Sequence, residues 1–384
     1  MKLLSIGLAL VFVVAGTGCS TLRSINPFAS PEFLPVKLET FAATLQPRQL
    51  WKSRLKSSKS GYFQPAIHDG VLYAAAADGT VAAFSLSDGR ALWRVELKTN
   101  LAAGVTAGPA GLVVVAEKGE LIVLDTHGAL RWRVAVGSQV YTQPAWGDNL
   151  LLVKTGDSRL LALDADSGAR RWVYARPAPA LTLRAAEPVV IRDGLVIAGF
   201  SGGKMVALTL ATGALRWEAT VANPKGATEI ERIADVSGAP LLSGREVCVT
   251  TFQGRLGCFD VVTGNALWTR PFSSPVGLAG DDRLLVAPDE KGLVAAFAQD
   301  SGTSIWKVAV FERRQPSLPV LTSRSVITGD FEGYLHWLSR EDGRMRARLR
   351  PDDTPLAGSM VLHNGRLYGQ TRGGAIFAIE VDET

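Results

Sequence analysis

Apolar and polar positions alternate in short runs along most of the chain, and glycine-containing turns punctuate the runs. The stretch Leu160 to Trp172 (LLALDADSGARRW) carries the whole pattern. Leu161 and Leu163 alternate with smaller or polar residues, as in a half-buried strand. Asp166-Ser167-Gly168 then supplies a tight turn in which Gly168 is free to take positive φ. A second short strand follows and ends on Trp172. The same order recurs in runs ending at Trp93, Trp132, Trp217, Trp268 and Trp306. A unit of roughly 40 residues with about four short strands predicts the blade of a β-propeller.

The first full repeat runs from about Phe63 to Trp93. In it Val71-Leu72-Tyr73 reads as a strand and Asp78-Gly79 as a hairpin turn. Val81 to Phe84 is the next strand and Asp88-Gly89 the next turn. The seventh repeat keeps its turn, Glu341-Asp342-Gly343, but has Ala347 at the Trp position. The eighth, within residues 356–381, is one strand short. Far upstream, Gln49-Leu50-Trp51 looks like the end of a repeat whose beginning is missing. The two fragments predict that residues near Gln49 to Leu55 form the outer strand of the eighth blade, which closes the ring and removes an open sheet edge. The expected fold is therefore all-β: an eight-bladed β-propeller of four-stranded antiparallel blades, closed by an N-terminal strand. Six tryptophans at equivalent places around a ring cannot line one site, so they are expected to pack blade on blade.

Before the repeats, Met1 and Lys2 give a positive start and Leu3 to Val14 are almost wholly apolar, the length of a signal-peptide core. Gly16-Thr17-Gly18 precede a lone early cysteine, Cys19. Thr21 to Pro35 carries Pro27, Pro31 and Pro35 with no periodic apolar pattern and reads as a tether. The expected domains are 1–18 signal peptide, 19–45 modified cysteine and tether, and 46–384 propeller.

Composition narrows the chemistry. Lys and Arg (41) exceed Asp and Glu (36) by a margin spread over the repeats. That is not the clustered basic face of a nucleic-acid binder, and no nucleic-acid partner is expected. His68, His127, His336 and His363 fall in different repeats without metal-ligand spacing. No G-x-S-x-G, H-E-x-x-H or P-loop string occurs. No catalytic residue, metal or cofactor is expected. Cys248 and Cys258 flank a hairpin turn at Gln253-Gly254. A three-residue loop would set them face to face and a two-residue turn one residue apart, so a disulfide and a pair of buried thiols both fit. Arg344, Arg346, Arg348 and Arg350 share one face of a strand. That face suits either an anionic polymer or a charged outer edge that discourages strand pairing.

The A-x-D-x-x-[ST]-G-x-x-x-W signature of Ala162 to Trp172 resembles the repeat of pyrroloquinoline-quinone (PQQ) dehydrogenases. The residues before Cys19 resemble a bacterial lipobox, with Gly16 where a Leu is usual. That likeness implies that Cys19 is diacylated as the first mature residue; plain cleavage and secretion is the alternative. Ser20, rather than Asp, implies an outer-membrane anchor facing the periplasm. From lipobox to Thr384 the chain is similar to the BamB family of eight-bladed propeller lipoproteins. The resemblance implies a non-enzymatic scaffold of the outer-membrane barrel assembly machinery, bound to the POTRA domains of BamA and neighbouring subunits. A periplasmic PQQ-dependent dehydrogenase is the alternative. The paired cysteines and the haem-attachment C-x-x-C-H associated with such enzymes are absent.

Two connections between repeats are long, Val173 to Glu187 and Glu218 to Ala234, and both join an outer strand to the next inner strand. They are expected side by side on one face, where repeat proteins place binding loops. The first holds Leu181-Thr182-Leu183-Arg184, an apolar anchor beside a charge. In the family, an L-x-L-R segment and an acidic D-V-D segment make the contact with BamA. Leu181, Leu183, Arg184 and Asp235 match these, and Ser237 stands at the second acidic position. Asp235 is expected to position Arg184.

Overall fold

The computed structural model describes residues 34–183 and 187–381; Cys19 and Arg184 lie outside the described residues. Eight sheets follow one another, antiparallel apart from one short added strand, with the strands in chain order except at two places. Blade 1 holds Ala66–His68, Val71–Ala75, Thr80–Ser85 and Ala91–Glu96, and blades 2 to 7 repeat that order from Leu101 to Leu349. Blade 8 takes its three inner strands from Val361–His363, Arg366–Gln370 and Ala375–Glu380 and its outer strand from Arg48–Arg54. Arg48 pairs with Glu380 and Arg54 with Ala375. The expected N-terminal closing strand is therefore present. Tyr62–Phe63 adds a short parallel strand to the inner edge of blade 2, beside Ala103 and Gly104. Phe63 thus belongs to the second sheet, although the repeat pattern groups it with the first.

Neighbouring sheets bury each other's faces. Leu152, Leu160 and Ala162 of blade 3 share one cluster with Val196, Phe200 and Val206 of blade 4. The two middle strands of a blade are covered on both sides, so Gly111–Ala116 is buried throughout and its sequence shows no alternation. Outer strands are covered on one side only, and Arg170–Ala175 alternates half-buried with exposed positions.

The tryptophans join blades. Each indole N–H donates to a carbonyl in the last turn of the following blade: Trp51 to Leu86, Trp93 to Thr126, Trp132 to Ala165, Trp172 to Leu210. Trp217, Trp268 and Trp306 donate likewise to Val261, Gln299 and Arg340. The turn glycine lies flat on the ring it receives. Gly213 has φ +69°, and a Cβ there would sit 2.6 Å from the Trp172 ring. Ala347 in blade 7 breaks the series for a physical reason. Blade 8 takes its outer strand from the far end of the chain, so it has no such turn to receive an indole; Ala347 packs with Leu45 and Val381 instead.

The closing strand is pinned by charge as well as by pairing. Asp352, on the connection into blade 8, accepts from Lys52 Nζ at 3.0 Å and Arg54 at 3.3 Å, and from Thr354 and Thr371 at 2.9 and 2.7 Å. Burial alone would raise its carboxyl, but the bonds from Thr371, Lys52 and Thr354 outweigh it and hold the pKa below the usual carboxylate range. Ahead of the closing strand, the chain from Val36 lies along the outer side of blade 7. Thr44 N–H donates to Arg346 O at 2.9 Å, Arg314 to Val36 O at 3.0 Å and Arg348 to Glu39 O at 3.2 Å. Arg348 also stands 5.1 Å over the Phe41 ring. Part of the arginine face thus receives the protein's own N-terminal segment.

In blade 5, Cys248 is directly opposite Cys258 and the two sulfurs are bonded. Gln253 takes φ +51° in the loop between them, which gives the face-to-face register rather than the offset one.

Three outcomes follow from these contacts. Gly194 has φ +72° with open space around it, and Gly213 has φ +69° against Trp172. Gly194→Ala is expected to cost about 1 kcal/mol for backbone conformation alone, and Gly213→Ala about 1–3 kcal/mol more from the ring contact. Urea titration of the two variants checks this, and equal losses would remove the ring contact from the account. The Asp352 carboxylate contributes stability that is present above the ordinary Asp pKa of about 3.9 and is lost as pH falls through its lowered folded value. Asp352→Asn should therefore melt earlier than the parent at neutral pH, with the gap closing in acid. Alkylation without reductant should leave Cys248 and Cys258 unlabelled, and reduction should lower stability by about 2–3 kcal/mol, as suits a cross-link between residues 10 apart.

Candidate functional site: the loop edge over blades 3 to 5

The connections between blades and the middle hairpin turns share one face of the ring. Arg176 N–H donates to Ser158 O, and Val221 N–H to Gly203 O. The tryptophan turns lie at the opposite ends of the same strands. The two long connections therefore emerge on the same side, over blades 3, 4 and 5.

Leu181 in the first connection is 45% exposed, and Thr182 and Leu183 are half-buried. This edge is tied to the second connection by one side chain. Asp235 is 1% exposed; its Oδ2 accepts the Leu183 N–H at 2.6 Å and its Oδ1 accepts the Gly202 N–H at 3.0 Å. Both carboxylate oxygens thus serve backbone amides, one from the loop and one from a turn of blade 4. Asp235 fixes the height of the leucine edge directly. Ser237, at the second acidic position of the family pattern, is buried and donates to Ser274 O at 2.6 Å. It belongs to the packing of blade 5 on blade 6.

Glu218, at the start of the second connection, pairs with Arg176 at the start of the first, whereas Glu229 and Glu231 serve their own loop. Glu231 accepts the Ala227 and Thr228 N–H groups at 2.7 and 3.2 Å, and Glu229 pairs with Arg232 at 3.2 Å. Ile230 between them is 66% exposed.

Beneath the leucine edge lies a charged group that the sequence patterns leave unmarked. Lys154 ends the strand Leu150–Lys154 of blade 3, and its buried ammonium pairs with Glu187 at the far root of the first loop. It also donates to Gly199 O of blade 4 at 2.6 Å and stands 4.8 Å over the Phe200 ring. Burial, only partly opposed by the Asp235 carboxylate, pushes the amine down to about 7. The one signal in the sequence is a lysine ending an otherwise apolar run, LLLVK.

The remaining polar clusters do other work. His336 is fully buried, 3.0 Å from Asp330 and 3.2 Å from Arg348. Burial lowers its pKa while Asp330 opposes the shift. Among the described residues, the group with metal-ligand closeness is Glu246, Cys248 and Cys258, and its two sulfurs are bonded to each other. A cavity of about 780 Å³ opens among the inner loops, lined by Tyr62, Gln64, Gln143, Asp289, Phe331 and Arg372 among others.

Comparison with known proteins places the chain. A family profile described as "Outer membrane protein assembly factor BamB" matches residues 44–96, 77–292 and 290–384. The chain is 41% identical over 336 residues to the protein of that name from Bordetella pertussis, covering 87% of each chain. The crystal structure of BamB from Moraxella catarrhalis superposes with TM-score 0.80 at 25% identity, over 87% of this chain and all of that one. A quinohemoprotein alcohol dehydrogenase from Comamonas testosteroni superposes with TM-score 0.70 at 14% identity, over 87% of this chain and 76% of its own, a likeness of fold alone. The chain belongs to the BamB family of outer membrane protein assembly factors.

Proposed function

We propose that this protein is a non-enzymatic scaffold of the machinery that assembles barrels in the bacterial outer membrane. Acyl chains on Cys19 hold it to the inner surface of that membrane, after removal of residues 1–18, so that the propeller faces the periplasm. Two or more chains give the stable attachment that one cannot. Its principal partner is the periplasmic POTRA region of BamA. Family membership supports the general role. The observation that carries the contact is the leucine edge: Leu181 stands exposed on the loop face, and Asp235 holds Leu183 in place through its amide.

A half-buried leucine beside an exposed one offers a short apolar anchor, and such an anchor with a neighbouring charge is a common core of protein interfaces. Arg184 follows directly in sequence and supplies the charge in this reading. Asp235 acts from below: it orders the loop rather than touching the partner, since both of its oxygens are engaged.

Co-purification of BamA with the full-length chain tests the reading. Leu181→Ala, Leu183→Ala and Arg184→Ala are each expected to weaken binding by about 1–3 kcal/mol with little change in melting temperature. Asp235→Ala is expected to weaken it at least as much, because it leaves two backbone amides without acceptors. Unchanged binding in all four, with the fold intact, would exclude this surface.

A further inference from the structure

The second strands of the other seven blades end on Ala75, Ala116, Phe200, Thr251, Pro288, Gly329 and Gln370, all uncharged. Blade 3 ends its strand on Lys154. The propeller thus does not need a cation at that place, and one instance shows how a neutral residue manages. Gln370 of blade 8 donates to Ala75 O of blade 1 at 2.8 Å, the same blade-to-blade bond that Lys154 makes to Gly199 O at 2.6 Å. What the ammonium adds is its second bond, to the Glu187 carboxylate.

Glu187 and Leu183 lie on either side of the three undescribed residues of the first loop, and each is held by a buried charge. Leu183 is held by Asp235 and Glu187 by Lys154. Charges taken out of water are costly unless they are paired and bonded, so such a cluster has few alternative arrangements. We propose that Lys154 is a positioning residue for partner recognition: it fixes the Glu187 root of the loop, as Asp235 fixes Leu183 on the other side, and so sets the Leu181–Leu183 edge that the partner meets. This rests on the reading of that edge as the partner surface.

Lys154→Gln keeps a donor for the Gly199 carbonyl, as Gln370 does for Ala75, and removes the charge. The double variant Lys154→Gln with Glu187→Gln leaves no buried carboxylate unpaired, and serves if the single variant folds poorly. Two measurements on the full-length chain separate positioning from binding. Hydrogen exchange followed by mass spectrometry reads the segment 177–183 without any partner. Titration with the BamA POTRA region reads affinity.

The expected result is exchange about tenfold faster in 177–183, with the strands of blades 3 and 4 unchanged, as for a local rather than global opening. Affinity should fall by about tenfold in parallel, a drop that a coupling energy of ordinary size produces. Unchanged exchange in 177–183 overturns the proposal whatever the affinity does. Faster exchange with unchanged affinity also overturns it, since the placement then serves no recognition. Failure of the partner surface itself would show separately, as unchanged affinity in Leu181→Ala and Leu183→Ala.

Discussion

Eight sheets with no helix between them among the described residues can stay in a ring only if each blade grips the next on a face that water would otherwise reach. That grip is the indole N–H of an outer strand donating into the following blade's last turn, with a positive-φ glycine laid on the ring. Its geometry leaves no room for a Cβ at Gly89, Gly168, Gly213, Gly264, Gly302 and Gly343 and little at Gly128, which explains the glycine in each turn. Aromatic area and a satisfied polar tip come from one side chain, which is why tryptophan suits the position better than leucine would. The same contact fixes the stacking of neighbouring blades and hence which loops stand side by side. The edge formed by two long connections depends on that stacking.

The repeat was legible because turns and tryptophans are local. A hairpin needs its Asp-Gly within a few residues, and the ring needs its indole at a fixed place in each unit. Even the closing strand could be read, from Trp51 at one end and a short repeat at the other. The reason for Ala347 could not be read, because it lies in what blade 8 lacks and only the assembled ring shows it. Phe63 looked like the start of the first repeat, yet three-dimensional pairing gives it to blade 2. Alternation within the middle strands was weak for a related reason: both faces are buried, so no polar side remains to mark the period.

The loop edge was legible in part. Leu181 and Leu183 followed from loop length and the family pattern, and Asp235 from the pattern alone. That Asp235 caps two backbone amides did not follow, because those amides lie 33 and 52 residues away in sequence and only the folded chain brings them to it. Lys154 and Glu187 were hidden by distance along the chain, since their contact joins a strand end to a loop root 33 residues on. The arginines of blade 7 show the converse. Their alternation was plain, but what they hold is the chain's own segment near Glu39 and Phe41, which no periodicity could assign.

The seam in blade 8 also imposes a timetable. Residues 48–54 are synthesised early, and the strand they pair with, Ala375–Glu380, more than 300 residues later. Until then Trp51 can reach the Leu86 carbonyl of blade 1, but the far side of its strand has nothing to pair with. Contacts separated by more than 300 residues form slowly, and an unpaired strand is an invitation to the wrong partner in the meantime. The closing seam is therefore the step of this chain's own folding most open to capture by another unpaired strand.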